Sequence, residues 1–188
     1  FLILRLVPEE RAEKIKISFL QFCMFFILAQ GFGTIFNLLG NAINDAVAAS
    51  SGGDASAMNP VNEMLDSLSP VMILYVGFLG PIIEEIIYRG ILLEQLRKDG
   101  DEFAIIVSAV VFAMGHFKSS LYVIFAGVFL GIIYVVTNNL KSSIMLHIII
   151  NTASLIENIS RLSYSKILVL YAGLLVLLIV IIKAFKIQ

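Results

Sequence analysis

The sequence predicts an all-α fold, a polytopic integral membrane bundle of helices, and three observations carry that prediction. Hydrophobic residues fill 59% of the 188 positions and charged residues 14%, against roughly 45–50% and about 25% in an ordinary soluble domain. Mean hydropathy is +0.96, so there is too little polar surface to cover a water-soluble globule. The same wealth of large apolar residues excludes a disordered chain. Apolar residues also gather into six stretches, 17–39, 69–97, 103–117, 121–138, 142–158 and 166–184, divided by polar breaks. Finally, these runs lack the polar/apolar alternation of an outer-membrane barrel strand.

In chain order, the opening FLILRLV (1–7) begins with Phe rather than Met and is interrupted by Arg5. It is too short for a signal peptide's apolar region with its flanks, and reads as the end of an earlier spanning helix, so a truncated N-terminal part is expected. One domain is expected over 1–188, with a motif-bearing core over 69–158. A helix needs about 20 residues to cross roughly 30 Å of hydrocarbon. The first, second and sixth stretches reach that length, and the shorter three are expected to be shielded by neighbouring helices. In the second, Pro81 follows Gly77 and Gly80 and should kink the helix, freeing a carbonyl one turn earlier. In the fourth, Gly127 and Gly131 form a GxxxG, a spacing that lets two helix backbones approach closely.

Between the first two stretches, 41–68 reads as a long polar segment that carries Asp45, Asp54, Glu63 and Asp66 and no Lys or Arg. Arg11, Lys14 and Lys16 precede the first long helix, so the positive-inside rule places that end in the cytoplasm and the acidic segment outside. Alternate threading then puts Arg97, Lys98, Lys141, Lys183 and Lys186 inside and Lys118, Arg161 and Lys166 outside. A re-entrant third helix would break this threading.

The net charge of −1 leaves no basic field, and nucleic-acid binding has no electrostatic footing. Cys23 is the one cysteine; it has no partner for an intramolecular disulfide and reads as a buried, inert thiol. Trp is absent, so Tyr and Phe must supply any aromatic belt.

Against this apolar background, the charged and polar residues inside the stretches stand out. The second carries Glu84, Glu85 and Arg89 in PIIEEIIYRG, His116 ends the third in FAMGHF, and His147 and Asn151 lie in the fifth in LHIIIN. Each charge at the bilayer centre costs about 2.5–3.5 kcal/mol on insertion scales. These groups must therefore be paired or face a wet cavity, and intramembrane ionisable residues are functional candidates. Glu85 and Arg89 are four apart with Glu first, which favours a pair on one helix face, read as a structural salt bridge that makes the kinked helix tolerable. Glu84 is rotated by about 100°, has no cationic partner on its own helix, and is the carboxylate expected to face a cavity. His147 and Asn151 share a face at the same spacing.

Two histidines, an unpaired Glu and an Asn suit a water-activating site. A carboxylate in a low-dielectric cavity can act as general base, with a histidine beside it holding the water or shuttling the proton. A second His and an amide could donate to a developing oxyanion. The zincin HExxH is absent, yet Glu84, His116 and His147 could hold a divalent metal such as zinc, since three protein ligands and a water suffice. Spacing alone leaves a metal-bound and a Glu-activated water equally open. No GxSxG elbow anchors serine chemistry. A proton-coupled transporter would call for an inverted pair of broken helices, and none is apparent.

Glu84-Glu85-x-x-x-Arg89, Phe112-x-x-x-His116 and His147-x-x-x-Asn151, with Gly127-x-x-x-Gly131-x-x-Tyr134 and Thr137 before the third, resemble the motifs of the CPBP family. That family, also called Abi, comprises type II CAAX prenyl endopeptidases and related bacteriocin-processing or immunity proteins. The likeness covers about 81–152, and one departure is Asn138, where a glycine commonly follows the threonine. The resemblance implies an intramembrane endopeptidase with its catalytic cavity inside the bilayer. Glu84 and His116 would activate the water, His147 and Asn151 would stabilise the oxyanion, and Glu85 and Arg89 would organise the site. It implies a peptide or lipidated-protein substrate and a multi-pass protein of a prokaryotic plasma membrane, with no cofactor or a divalent metal. The alternative is a non-catalytic membrane scaffold or bacteriocin self-immunity protein. Substrate identity and oligomeric state are left open at this level, because the GxxxG can pack within one chain or between two.

Overall fold

A computed structural model describes residues 15–51, 69–116, 120–160 and 162–185. Every regular element among them is helical, and the six expected stretches become six helices. Helix α1 is Phe19–Ser51, α2 runs from Pro70 to Asp99 through several turn types, α3 is Asp101–Met114, α4 is Ser120–Thr137, α5 is Leu140–Ile159 and α6 is Tyr164–Phe185. By length and composition, α1 and α2 can each cross a membrane, and α4 and α6 hold shorter apolar runs at Leu121–Thr137 and Tyr164–Ile179.

Helix α1 opens on a capping box, in which the Gln21 amide donates to Ser18 Oγ at 3.3 Å and the Ser18 amide to Gln21 Oε1 at 2.7 Å. It runs for 33 residues, about 50 Å at 1.5 Å per residue, well beyond the hydrocarbon thickness. This corrects the expectation that 41–68 is polar loop throughout: its first eleven residues, to Ser51, continue the helix. Ala42, Ala46, Ala48 and Ala49 sustain helix propensity there, and no Gly or Pro falls between 41 and 51. The remainder of that segment, with Asp54, Glu63 and Asp66, lies outside the described residues, as do FLILRLV and the basic run at 11–14.

Helix α2 starts with Ser69, whose hydroxyl accepts from the Met72 amide at 3.2 Å, and with Pro70 at the first helical position. Two of its segments, Tyr75–Leu79 and Ile86–Leu93, have π-type i→i+5 bonding. The first ends where the Gly80 amide donates to Tyr75 O. In that register the next donor would face Val76 O, but position 81 is Pro and has no N–H. The carbonyl expected to be freed is therefore that of Val76. The helix stops at Gly100, whose φ of 120° only glycine adopts without strain.

Packing of α3 on α4 explains the GxxxG. A Cβ on Gly127 would lie 3.0 Å from Ala109, and one on Gly131 3.2 Å from Ile105, so the pair serves close approach within this chain. Leu130, Ile133, Leu146 and Ile150 form a core with Ala29 where α1, α4 and α5 meet. Helix α6 lies along α1, where Ile167, Tyr171 and Leu178 pack with Ile27. Cys23 borders that cluster and is half-buried rather than buried, without a disulfide. Helix α4 ends on Asn138 at φ 44°, the left-handed position that Gly favours and Asn tolerates best after it. The departure from glycine thus leaves the turn intact, and Asn138 Oδ1 accepts from Arg97 at 3.2 Å.

Candidate active site

All six expected site residues lie on three elements that meet, α2, α5 and the turn after α3. Glu85 and Arg89 are fully buried and paired at 2.9 Å. The guanidinium also donates to the Gly127 carbonyl of α4 at 3.0 Å and lies 4.6 Å from the centre of the Phe112 ring, a cation–π contact. Among the described residues, Glu85 Oε2 and Arg89 Nε have no hydrogen-bond partner. Each orphaned group costs about 1–3 kcal/mol, and buried pairs in general add little net stability over apolar residues. What this pair does is hold other groups in place.

Glu85 Oε1, besides taking Arg89, lies 2.9 Å from His147 Nδ1. Sequence rotation set the two glutamates in different directions, and the structure resolves that difference at a single ring. Glu85 meets Nδ1 of His147, while Glu84 Oε2 is 3.6 Å from its Nε2. On the other side, Glu84 Oε1 is 3.9 Å from Nε2 of His116. His116 does not end helix α3, as expected, but sits in the turn beyond Met114. Its Nδ1 is anchored 3.0 Å from the Phe112 carbonyl.

These partners fix the tautomers. A backbone carbonyl only accepts, and a carboxylate oxygen already bonded to Arg89 accepts again, so both imidazoles carry their proton on Nδ1. Both therefore turn Nε2 toward Glu84. Side-chain exposure rises from 0% at Glu85 and Arg89 through 5% at His147 to 28% at Glu84 and 37% at His116. The site is thus a sealed charged floor beneath a reachable layer, and Glu84 lies in the reachable layer.

Asn151 is brought to the same helix junction, and its Nδ2 donates to the Val76 carbonyl at 2.9 Å. This is the carbonyl that the π turn and Pro81 leave free, so the break in α2 and the amide of α5 satisfy each other. One Asn151 amide hydrogen remains for another acceptor. Phe112, known from the sequence only as a motif position, is a platform touching Arg89, His116, His147 and Tyr88 through its ring. Backbone acceptors at Val76 and Gly127 had no signal in side-chain patterning.

Glu84, His116 and His147 are also the set from which a metal centre would be built. The two imidazoles approach opposite oxygens of the carboxylate, and among the described residues no three His, Cys, Asp or Glu side chains come together in a geometry that holds an ion.

Residues 66–153 match the family model Rce1-like, described as type II CAAX prenyl endopeptidase Rce1-like. No curated protein and no solved structure matches the chain. The matched segment takes in Glu84, Glu85, Arg89, His116, His147 and Asn151. The match takes in 88 of the 188 residues, and that segment is similar to the type II CAAX prenyl endopeptidases the model describes.

Proposed function

We propose that this chain is an intramembrane endopeptidase that hydrolyses peptide bonds of membrane-associated, lipidated or hydrophobic peptides through a water activated by Glu84 and His116. Six helices, two of them long and apolar enough to cross a membrane, support a multi-pass arrangement, in our reading in a prokaryotic plasma membrane. The observation that carries the proposal is the Glu84 carboxylate, set between two Nε2 atoms at 3.6 and 3.9 Å with both Nδ1 edges committed elsewhere. Those separations exceed direct hydrogen bonds and suit one water shared among the groups.

In this reading Glu84 accepts a proton from the water as its oxygen attacks the scissile carbonyl carbon. His116 Nε2 holds the same water. Negative charge that develops on the former carbonyl oxygen is met by the free Asn151 amide hydrogen and by Nε2–H of His147 in its doubly protonated form, whose Nδ1–H stays on Glu85. Collapse of the tetrahedral intermediate breaks the C–N bond as the proton held by Glu84 passes to the leaving amine. Glu85 and Arg89 act through His147 by fixing its ring.

Cleavage of membrane-associated peptides by the purified protein in liposomes tests the proposal. Glu84→Ala and His116→Ala should remain folded and lose at least about 10²-fold in rate, the scale of a missing general base. Unimpaired cleavage by folded Glu84→Ala would overturn the assignment. Normal biological output from that variant without any cleavage would instead favour a scaffold or immunity role. Chelation with full metal analysis addresses the ion separately: activity in a demonstrably metal-free sample assigns the chemistry to Glu84.

A further inference from the structure

A second set of polar side chains lies within the apolar helices, away from Glu84. Gln30 of α1, only 3% exposed, donates from Nε2 to the Tyr171 hydroxyl of α6 at 3.3 Å. Tyr171, itself buried, passes its own proton toward Glu157 Oε1 of α5 at 2.5 Å. Nearby, Tyr122 of α4 packs over α1. Tyr122 reaches across because α1 has Gly33 beneath its ring, where a Cβ would sit 2.5 Å from Tyr122 Cε2. Gln30, Tyr171 and Glu157 all lie outside the matched segment 66–153.

We propose that Gln30, Tyr171 and Glu157 form a positioning device that sets the rotation and height of α5, and through it the placement of His147 and Asn151 against α2. Lipid tails are as apolar as leucine, so no hydrophobic force fixes one membrane helix against another, and directional bonds and close packing do it instead. Helix α5 is held on its α2 side by Glu85–His147, by Val76–Asn151 and by Leu155 against Gly77. On another face of α5 the polar fixing is Tyr171 on Glu157. Glu157 lies six residues beyond Asn151, about 9 Å along the helix, so a turn or slip at Glu157 is carried rigidly to Asn151. Its catalytic consequence rests on the hydrolase reading above; its effect on register does not.

Two measurements separate these. In a Cys23→Ser background, Gly77→Cys with Thr152→Cys forms a cross-linking pair, because a Cβ at position 77 lies 3.7 Å from Thr152 Oγ1, near disulfide spacing. The rate of oxidative cross-linking then reports the α2–α5 register without reference to activity. Tyr171→Phe and Glu157→Leu should slow it about tenfold, while Glu157→Gln, whose amide oxygen still accepts from Tyr171, should leave it within about twofold of the parent. In the otherwise unmodified chain, Tyr171→Phe and Glu157→Leu should lower kcat per folded molecule by about tenfold or more with KM little changed, and Glu157→Gln should restore it. A cross-linking rate unchanged in folded Tyr171→Phe overturns the proposal, even if melting temperature falls. A register that depends on Tyr171 in a protein that cleaves no peptide supports the device and overturns the hydrolase reading instead.

Discussion

Helix α2 carries two arginines eight residues apart that make nearly the same set of contacts in opposite settings. Arg89 pairs with a carboxylate four residues away, Glu85, and reaches α4 at the Gly127 carbonyl. Arg97 also pairs with a carboxylate four residues away, Asp101 at 2.7 Å, and reaches the end of α4 at Asn138 Oδ1, with Glu94 at 3.6 Å. Arg89 and Glu85 are wholly buried, whereas the Arg97 side chain is 15% and Asp101 48% exposed. Contact lists therefore do not rank the two pairs. Solvent does, because removing one member of a buried pair strands a charge, whereas water takes up the released partner at the surface.

The comparison breaks most sharply if Arg89→Leu is tolerated. It should cost about 3–5 kcal/mol, read as loss of folded protein in detergent, because Glu85 is left buried without its cation. Glu85→Leu combined with Arg89→Leu should cost less than the sum of the single changes while still abolishing cleavage, since His147 loses the partner that orients it. Asn151→Ala is expected to lower kcat by about 10²-fold, the scale of a lost oxyanion donor, with a modest drop in melting temperature from the stranded Val76 carbonyl. Arg97→Ala should shift stability by about 1 kcal/mol or less and leave kcat within a factor of two or so of wild type; a collapse of the fold there would show that burial does not separate the two arginines. At the small end, Asn138→Gly exchanges one bond to Arg97 for an easier left-handed residue, and the two should nearly cancel within about 0.5 kcal/mol, measured by thermal unfolding.

Legibility followed sequence distance. The Glu85–Arg89 pair is readable because it spans one helical turn, and the helical character of the apolar stretches is readable because apolar runs in lipid leave few alternatives to helix. His147 on Glu85 joins residues 62 apart and Asn151 on Val76 joins residues 75 apart, and no spacing rule relates them. The rotation argument correctly put Glu84 and Glu85 on different bearings, yet it could not foresee that one imidazole would meet both. Polarity read as loop would end helix α1 at Leu39, yet an alanine-rich run without Gly or Pro continues as helix to Ser51. Glu157 also stands inside the fifth apolar stretch, where the argument from intramembrane charge that singles out Glu84 applies equally.

By itself, the sequence determined that this chain is a helical membrane protein and which of its polar groups are out of place in that setting. Both follow from composition and from period, which are local properties. Only the tertiary structure decided that the freed carbonyl of Val76 is answered by Asn151, that Phe112 supports Arg89, and that Glu84 stands between two imidazoles whose other nitrogens are occupied. Hydrogen bonds act over about 3 Å, and which atoms come that close depends on how helices distant in sequence rotate and settle against one another.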